Sequence, residues 1–190
     1  MKFCSTCNSK LFQTSEGFKC VTCDNYNPNE KKISSKTIYS ENDSFPYVKN
    51  EYYVQKEIRN RLGLGLMTGI NLKKELHMMV LFRNAHILKP NQTNIYLDKY
   101  DEEAGIYRYV GKGLIGDQSI SGDNGYLKYS NDHNYSVHLF WQQNANSDHK
   151  YVGKVSVTDV ITEKQSDKNG KIRDVFVFLL KPDVEISSKS

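Results

Sequence analysis

Four cysteines form the sharpest chemical pattern in this 190-residue chain: Cys4 and Cys7, then Cys20 and Cys23, make two C-x-x-C pairs with twelve residues between them. Two thiolates spaced by two residues on a tight turn can share one tetrahedral Zn²⁺, and two such turns close a four-thiolate site. No coordination position stays open, so the metal is expected to be structural and not catalytic. Two disulfides or a redox C-x-x-C are the alternatives. The start Met1-Lys2-Phe3-Cys4, with no apolar leader, speaks against the first, and the duplication of the pair speaks against the second.

The second concentration of chemically capable residues runs from Tyr96 to Gln118, YLDKYDEEAGIYRYVGKGLIGDQ. It holds four clustered carboxylates (Asp98, Asp101, Glu102, Glu103), four tyrosines (among them Tyr96, Tyr107 and Tyr109) and the lysine Lys112, set between Gly111 and Gly113. The glycines at 111, 113 and 116 satisfy G-x-G-x-x-G literally, but that fingerprint needs a helix directly after it to seat a pyrophosphate. Residues 117–125 are instead a run of turn-formers with no apolar helical period, so a dinucleotide site is not expected. The four carboxylates could instead bind Mg²⁺ in a small divergent nuclease. Glu30-Lys31-Lys32 also matches E-x-K, with Asp24 before it, but it sits in a polar stretch and not on a sheet able to hold a metal.

The elements that would position these groups are mainly strands. Ile106 to Val110 reads as a short aromatic strand with Tyr107 and Tyr109 on one face and Arg108 on the other. Leu76 to Phe82 is nearly continuous apolar and is expected to be buried on both faces. Tyr126 to Tyr129, Val137 to Trp141, Tyr151 to Val157 and Val175 to Leu180 complete the strand set, with a turn at Asp167-Lys168-Asn169-Gly170. One helix is expected from about Tyr47, with Val54, Ile58 and Leu62 inward, Lys49, Lys56, Arg59 and Arg61 on a polar face, and Gly63 and Gly65 ending it. His77 and His86 have no ligand partners at metal spacing and read as structural. Residues 1–30 are expected to be the cysteine module, with Phe12, Gly17 and Phe18 in a hairpin between its two pairs. Residues 31–46 are a polar linker with one short extended segment over 33–39, and 47–185 form the main domain.

Several short pieces, in order, carry a family likeness: Gly69-Ile70, Tyr96-Leu97-Asp98, Gly105 to Gly113, Gly116-Asp117, His138-Leu139-Phe140 and Tyr151-Val152-Gly153. Over residues 47 to 181 the chain resembles the SRA-like domains of modification-dependent restriction endonucleases, relatives of the SRA domain that reads 5-methylcytosine in eukaryotic chromatin proteins. The cysteine module is similar to the zinc ribbons of transcription proteins. The resemblance implies a mainly β (α+β) fold, a zinc ribbon followed by a twisted SRA-like β-barrel with a flanking helix. It also implies a modified cytosine in duplex DNA swung out of the helix into a pocket. By motif position, Asp98 would accept from the cytosine amino group and Tyr109 would stack on the base. Tyr96, Tyr107 and Trp141 are candidates for the opposite plate, and Lys112 is a candidate phosphate contact. Asp101 competes with Asp98, because the acidic turn is longer than in the eukaryotic domain. The family's glycine-asparagine-arginine-alanine-like segment is reduced here to Asn124.

Charge adds little to this. With 26 basic and 22 acidic residues the net charge is +4, a mild bias toward anionic partners. Hydrophobic content of 38% with 12% aromatic points to a core built from Tyr and Phe as much as from Leu and Val. No apolar run is long enough to span a bilayer. The expected partners are double-stranded DNA with a modified base and, since no catalytic constellation is visible, a nuclease on a separate subunit. A cytoplasmic, nucleoid-associated location is expected if the protein is prokaryotic. A transcription-associated zinc-ribbon protein is the remaining alternative.

Overall fold

In a computed structural model of the chain, residues 45–65, 69–85 and 95–184 are described throughout, together with the backbone of 11–14, 17–20 and 26–27. Cys4, Cys7, Cys23, the Cys20 side chain, the 33–39 segment and His86 lie outside the described residues. Near the N-terminus, β1 (Leu11–Thr14) and β2 (Gly17–Cys20) form an antiparallel hairpin that places Leu11 opposite Cys20, and β3 (Tyr26–Asn27) adds a third strand.

The apolar run at 78–83 explains the layering of the rest. Strand β6 (Met78–Arg83) is buried on both faces because two cores meet on it. Met79 and Leu81 face a core shared with Val137, Leu139, Trp141, Phe178 and Leu180. Met78, Val80 and Phe82 face another, built with Tyr47, Phe140 and the inner side of helix α1 (Gln55–Leu62). Ile58 and Leu62 supply that inner side, and Gly63 ends the helix in the left-handed region at φ 61°. Arg59, expected on the solvated face, is instead buried. Its guanidinium lies 4.4 Å over the Phe82 ring, and Nη1 donates to Gly65 O at 2.6 Å and to Asn71 Oδ1 at 3.3 Å. A planar cation that stacks and forks can be buried where a lysine could not.

The main sheet also contains β4 (Tyr52–Tyr53), β5 (Ile70–Lys73), β7 (Lys99–Asp101), β8 (Ile106–Val110), β9 (Ser136–Trp141), β10 (His149–Ser166) and β11 (Ile172–Pro182). Its order is β5-β6-β9-β10-β11-β8-β7, with β4 pairing β10; β6 and β9 run parallel and the other pairs antiparallel. The sheet ends at β5 on one side and β7 on the other, so it is an open mixed sheet and not the expected barrel. The pairing of β10 shifts between Tyr151 and Gly153 and again between Val157 and Asp159, with Gly153 at φ 113°. Such irregularities bend a strand without closing the sheet.

A second correction concerns Tyr126-Leu127-Lys128-Tyr129. Instead of a strand the chain forms helix α2 (Gly122–Lys128), with Asn124 and Leu127, three residues apart, buried on one side. Leu127 enters the main core, and that packing overrides the strand preference of two tyrosines. Among the described residues no helix is long and apolar enough to cross a membrane.

Candidate functional site

A cavity of about 360 Å³ opens where β8 and the glycine-rich segment after it face β5 and the end of β6. Tyr96, Asp98, Tyr109 and Lys112, four of the residues singled out in the sequence, line it together with Gly69, Phe82, Asn84 and Leu114. A mostly apolar pocket of this size with a few convergent polar groups is the usual form of a small-ligand site.

Tyr109 is held by backbone pairing to Phe178 on β11, and its hydroxyl donates to Phe82 O at 3.3 Å. The close approach is possible because position 69 is glycine: a Cβ there would stand 2.7 Å from the Tyr109 hydroxyl oxygen. Burial drives the phenol well above its ordinary value, so it stays protonated. The Tyr96 hydroxyl donates to Gly113 O at 3.3 Å, across the mouth of the pocket. Asp98 Oδ1 accepts from Val110 N at 2.7 Å. Burial raises the Asp98 carboxyl to about 6, against the opposing pull of the Val110 amide and the Arg83 charge. Asp101 turns elsewhere, its Oδ1 accepting from Ala104 N at 3.1 Å in the β7–β8 turn. Among the described residues, no three His, Cys, Asp or Glu side chains converge on a possible metal position.

Tyr107 and Trp141 do not line this cavity. Tyr107 packs against Tyr100, with ring centroids 4.4 Å apart, and edge-on against Trp141 at 4.9 Å. Trp141 borders a second depression, with Arg83 and Tyr100, that shares only Asp98 with the first. Facing the same way along β8, Tyr107 and Tyr109 still sit two residues apart, and two residues of strand carry Tyr107 out of the pocket.

The lip, residues 111–117, is fixed by side chains that sequence reasoning largely missed. Buried Asn124 accepts from Lys112 N at 2.7 Å through Oδ1 and donates through Nδ2 to Lys112 O at 2.9 Å and Ser119 O at 3.1 Å. Asn124, the residue that the resemblance sets against the family's segment, clamps the lip. Gln118 donates to Gly111 O at 2.6 Å and accepts from Phe176 N at 3.0 Å. Buried Arg173 donates to Gly116 O at 3.3 Å, and Lys168 N donates to Leu114 O at 2.9 Å. Polar residues among turn-formers look solvated in a sequence; nothing local marks these as buried. Lys112 reaches outward to Asp123 Oδ2 at 2.6 Å, and Leu114 and Ile115 leave apolar side chains exposed at the rim.

The profile of the ScoMcrA-like SRA domain family matches residues 49–189. No curated protein matches the chain. The sulfur-binding and SRA domains of ScoMcrA, complexed with phosphorothioated DNA, superpose with a TM-score of 0.57 at 14% identity, over 72% of this chain and 40% of that one. The type IV phosphorothioation-dependent restriction endonuclease ScoMcrA gives 0.57 at 15%, over 76% and 26%. The SRA domain of SUVH5 in complex with methylated CHH DNA gives 0.52 at 20%, over 74% and 92%. This chain spans less than half the length of either ScoMcrA chain. These structures share its fold, and the family match covers every element from α1 to β11. By that match, the chain belongs to the ScoMcrA-like SRA domain family.

Proposed function

We propose that this domain binds duplex DNA carrying a modified cytosine and holds the flipped base in the cavity, acting in restriction together with a nuclease on another subunit or domain. The observation that carries the reading is Asp98: a half-buried carboxylate with one oxygen held by Val110 N, set in a mostly apolar pocket beside Tyr96, Tyr109 and Phe82. A flipped base needs plates for its faces and a polar group for its edge, and an ionised carboxylate suits an exocyclic amino group. The SRA domains of similar fold were solved with methylated or phosphorothioated DNA, which supports the choice of ligand. A screen of 5-methyl-, hydroxymethyl-, glucosyl- and unmodified cytosine duplexes identifies the modification. A fluorescent base analogue at the target position should brighten on binding. Equal affinity for all duplexes, with no brightening, would sink the proposal.

Lys112 separates affinity from recognition. It is exposed at the lip, and its side chain pairs with the surface carboxylate of Asp123, which a DNA phosphate can replace. Lys112→Ala should weaken modified and unmodified duplexes alike and reduce the slope of log K against log[salt] by about 1. Loss of the preference with no change in salt slope would show that Lys112 touches the base instead.

For the N-terminal module we propose one structural Zn²⁺ held by Cys4, Cys7, Cys20 and Cys23. The spacing supports it, as does the β1–β2 hairpin between the two pairs, which ends at Cys20. Freshly purified protein should contain one zinc per chain, and Cys4→Ser should release it while the domain from Tyr47 onward melts as before. Purified protein without zinc removes the assignment.

A further inference from the structure

Asn84 follows β6, is half-buried and lines the cavity. Its Oδ1 lies 3.0 Å from Gln55 Nε2, at the start of α1, and 2.9 Å from His149 Nε2, at the start of β10. Which end of the amide faces the cavity follows from the histidine. Burial, with the charges of Arg59 and Arg83, lowers His149 to about 4, so near neutral pH the ring carries one N–H. Its Nδ1 is buried without a partner among the described residues. A proton on Nδ1 would leave a buried donor unsatisfied, whereas a bare Nδ1 leaves only an idle lone pair, so the proton sits on Nε2 and points at Asn84. Asn84 therefore uses Oδ1 to accept from two donors. Its Nδ2 has no acceptor among the described residues, and the residue lines the cavity.

We propose that Asn84 is a second base-reading group, its Nδ2 donating to ring N3 of the flipped cytosine while Asp98 accepts from the neighbouring amino group. This rests on the reading of the cavity as a base pocket and adds a specificity device to it. An acceptor at position 98 and a donor at position 84 match the donor–acceptor order of cytosine along its Watson–Crick edge. Thymine presents the reverse at both atoms, a carbonyl oxygen and an N–H. Gln55 and His149 are positioning residues: each holds the amide in the orientation that leaves the donor free.

The test uses the full chain and the modified duplex that it binds best, alongside the same duplex with thymine opposite guanine at the target position. The parent should prefer the modified cytosine. Asn84→Asp, which keeps an oxygen for Gln55 and His149 but offers the base an acceptor, should cut that preference roughly tenfold or more, with a melting temperature near the parent's. Asn84→Ala, which adds no charge, should reduce it in the same direction. A third arm needs no substitution: the parent should bind a duplex with 3-deazacytosine, where N3 is a C–H, roughly tenfold more weakly than one with cytosine. Unchanged preference in both variants, or equal binding of the 3-deaza duplex by the parent, overturns the role of Asn84 while leaving the pocket standing. A parent with no preference for any modified duplex overturns the pocket itself.

Discussion

Asp98→Asn is expected to melt higher than the parent near pH 7 and to lose its preference for modified DNA. Folding takes the carboxyl from its ordinary value of 3.8 to about 6. Keeping it ionised at pH 7 in the folded state therefore costs on the order of 3 kcal/mol. Asn removes that cost and retains an oxygen for Val110 N, so we expect a gain of about 1–3 kcal/mol, discounted because the cavity is open to water. That corresponds to roughly 2–4 °C per kcal/mol in a domain of this size. The pH dependence fixes the sign. A raised carboxyl value means that the neutral folded form is favoured, so the parent's handicap is absent below about pH 4, grows through pH 4 to 6 and is complete above it. Binding should run the other way, with the preference fading as pH falls through 6 and the acceptor becomes a neutral acid. In Asp98→Asn the amide donor would oppose the amino group of the base, at roughly 30- to 100-fold in affinity. A variant that melts lower, or that still discriminates, would show that Asp98 is a structural acid and not a reader.

Gly111→Ala should be strongly destabilising. Position 111 does not have positive φ, so the requirement is space and not backbone freedom. A Cβ there would stand 2.8 Å from Gln118 Oε1, 3.0 Å from Asn124 Oδ1 and 3.1 Å from Phe178 Cε2. None of these can yield easily. The two oxygens accept from Phe176 N and Lys112 N, and Phe178 is fully buried. Overpacking of this kind costs about 1–3 kcal/mol, and any lip bond it breaks adds to that. We expect a total of about 3 kcal/mol, roughly 6–12 °C of melting temperature. Gly116→Ala is the control, because nothing lies within 4 Å of its would-be Cβ and only its φ of 67° resists substitution. If both variants melt alike, the crowding at Gly111 is not limiting.

How much of the molecule could be read from its sequence depends on the range of each signal. Strand β8, the two-sided burial of β6 and the Gly63 stop were legible because their causes are local: alternation, a continuous apolar run, a glycine after a helical stripe. Only residues 151–157 of β10 were visible. Its second half, Thr158 to Ser166, is half solvated, and Lys164 pairs with Asp174 across the sheet, which makes it look like a polar loop. Asp98, Tyr109, Tyr96 and Lys112 could be found by their place in a motif. Asn84, Gln118 and Arg173 could not, because what gives each its role comes from a distant strand or helix. Tyr107 and Trp141, the other candidates, lie outside this cavity and pack against each other.

The order of the strands also sets when the pocket can exist during synthesis. β8, which carries Tyr109 and leads into the lip, is hydrogen-bonded in the main sheet only to the short β7 and to β11, the last strand of the sheet. Gly111 N and the Gln118 side chain reach Phe176 on that same strand. A chain leaving the ribosome can pair β5 with β6 early, yet the wall opposite them has no strand partner in the sheet beyond β7 until Ile172–Pro182 has emerged. Long-range closures of this kind come late because the loop entropy must be met first. The growing polypeptide therefore lacks the complete cavity until that strand is in place, and a nascent chain stalled before that point would be without the proposed base pocket.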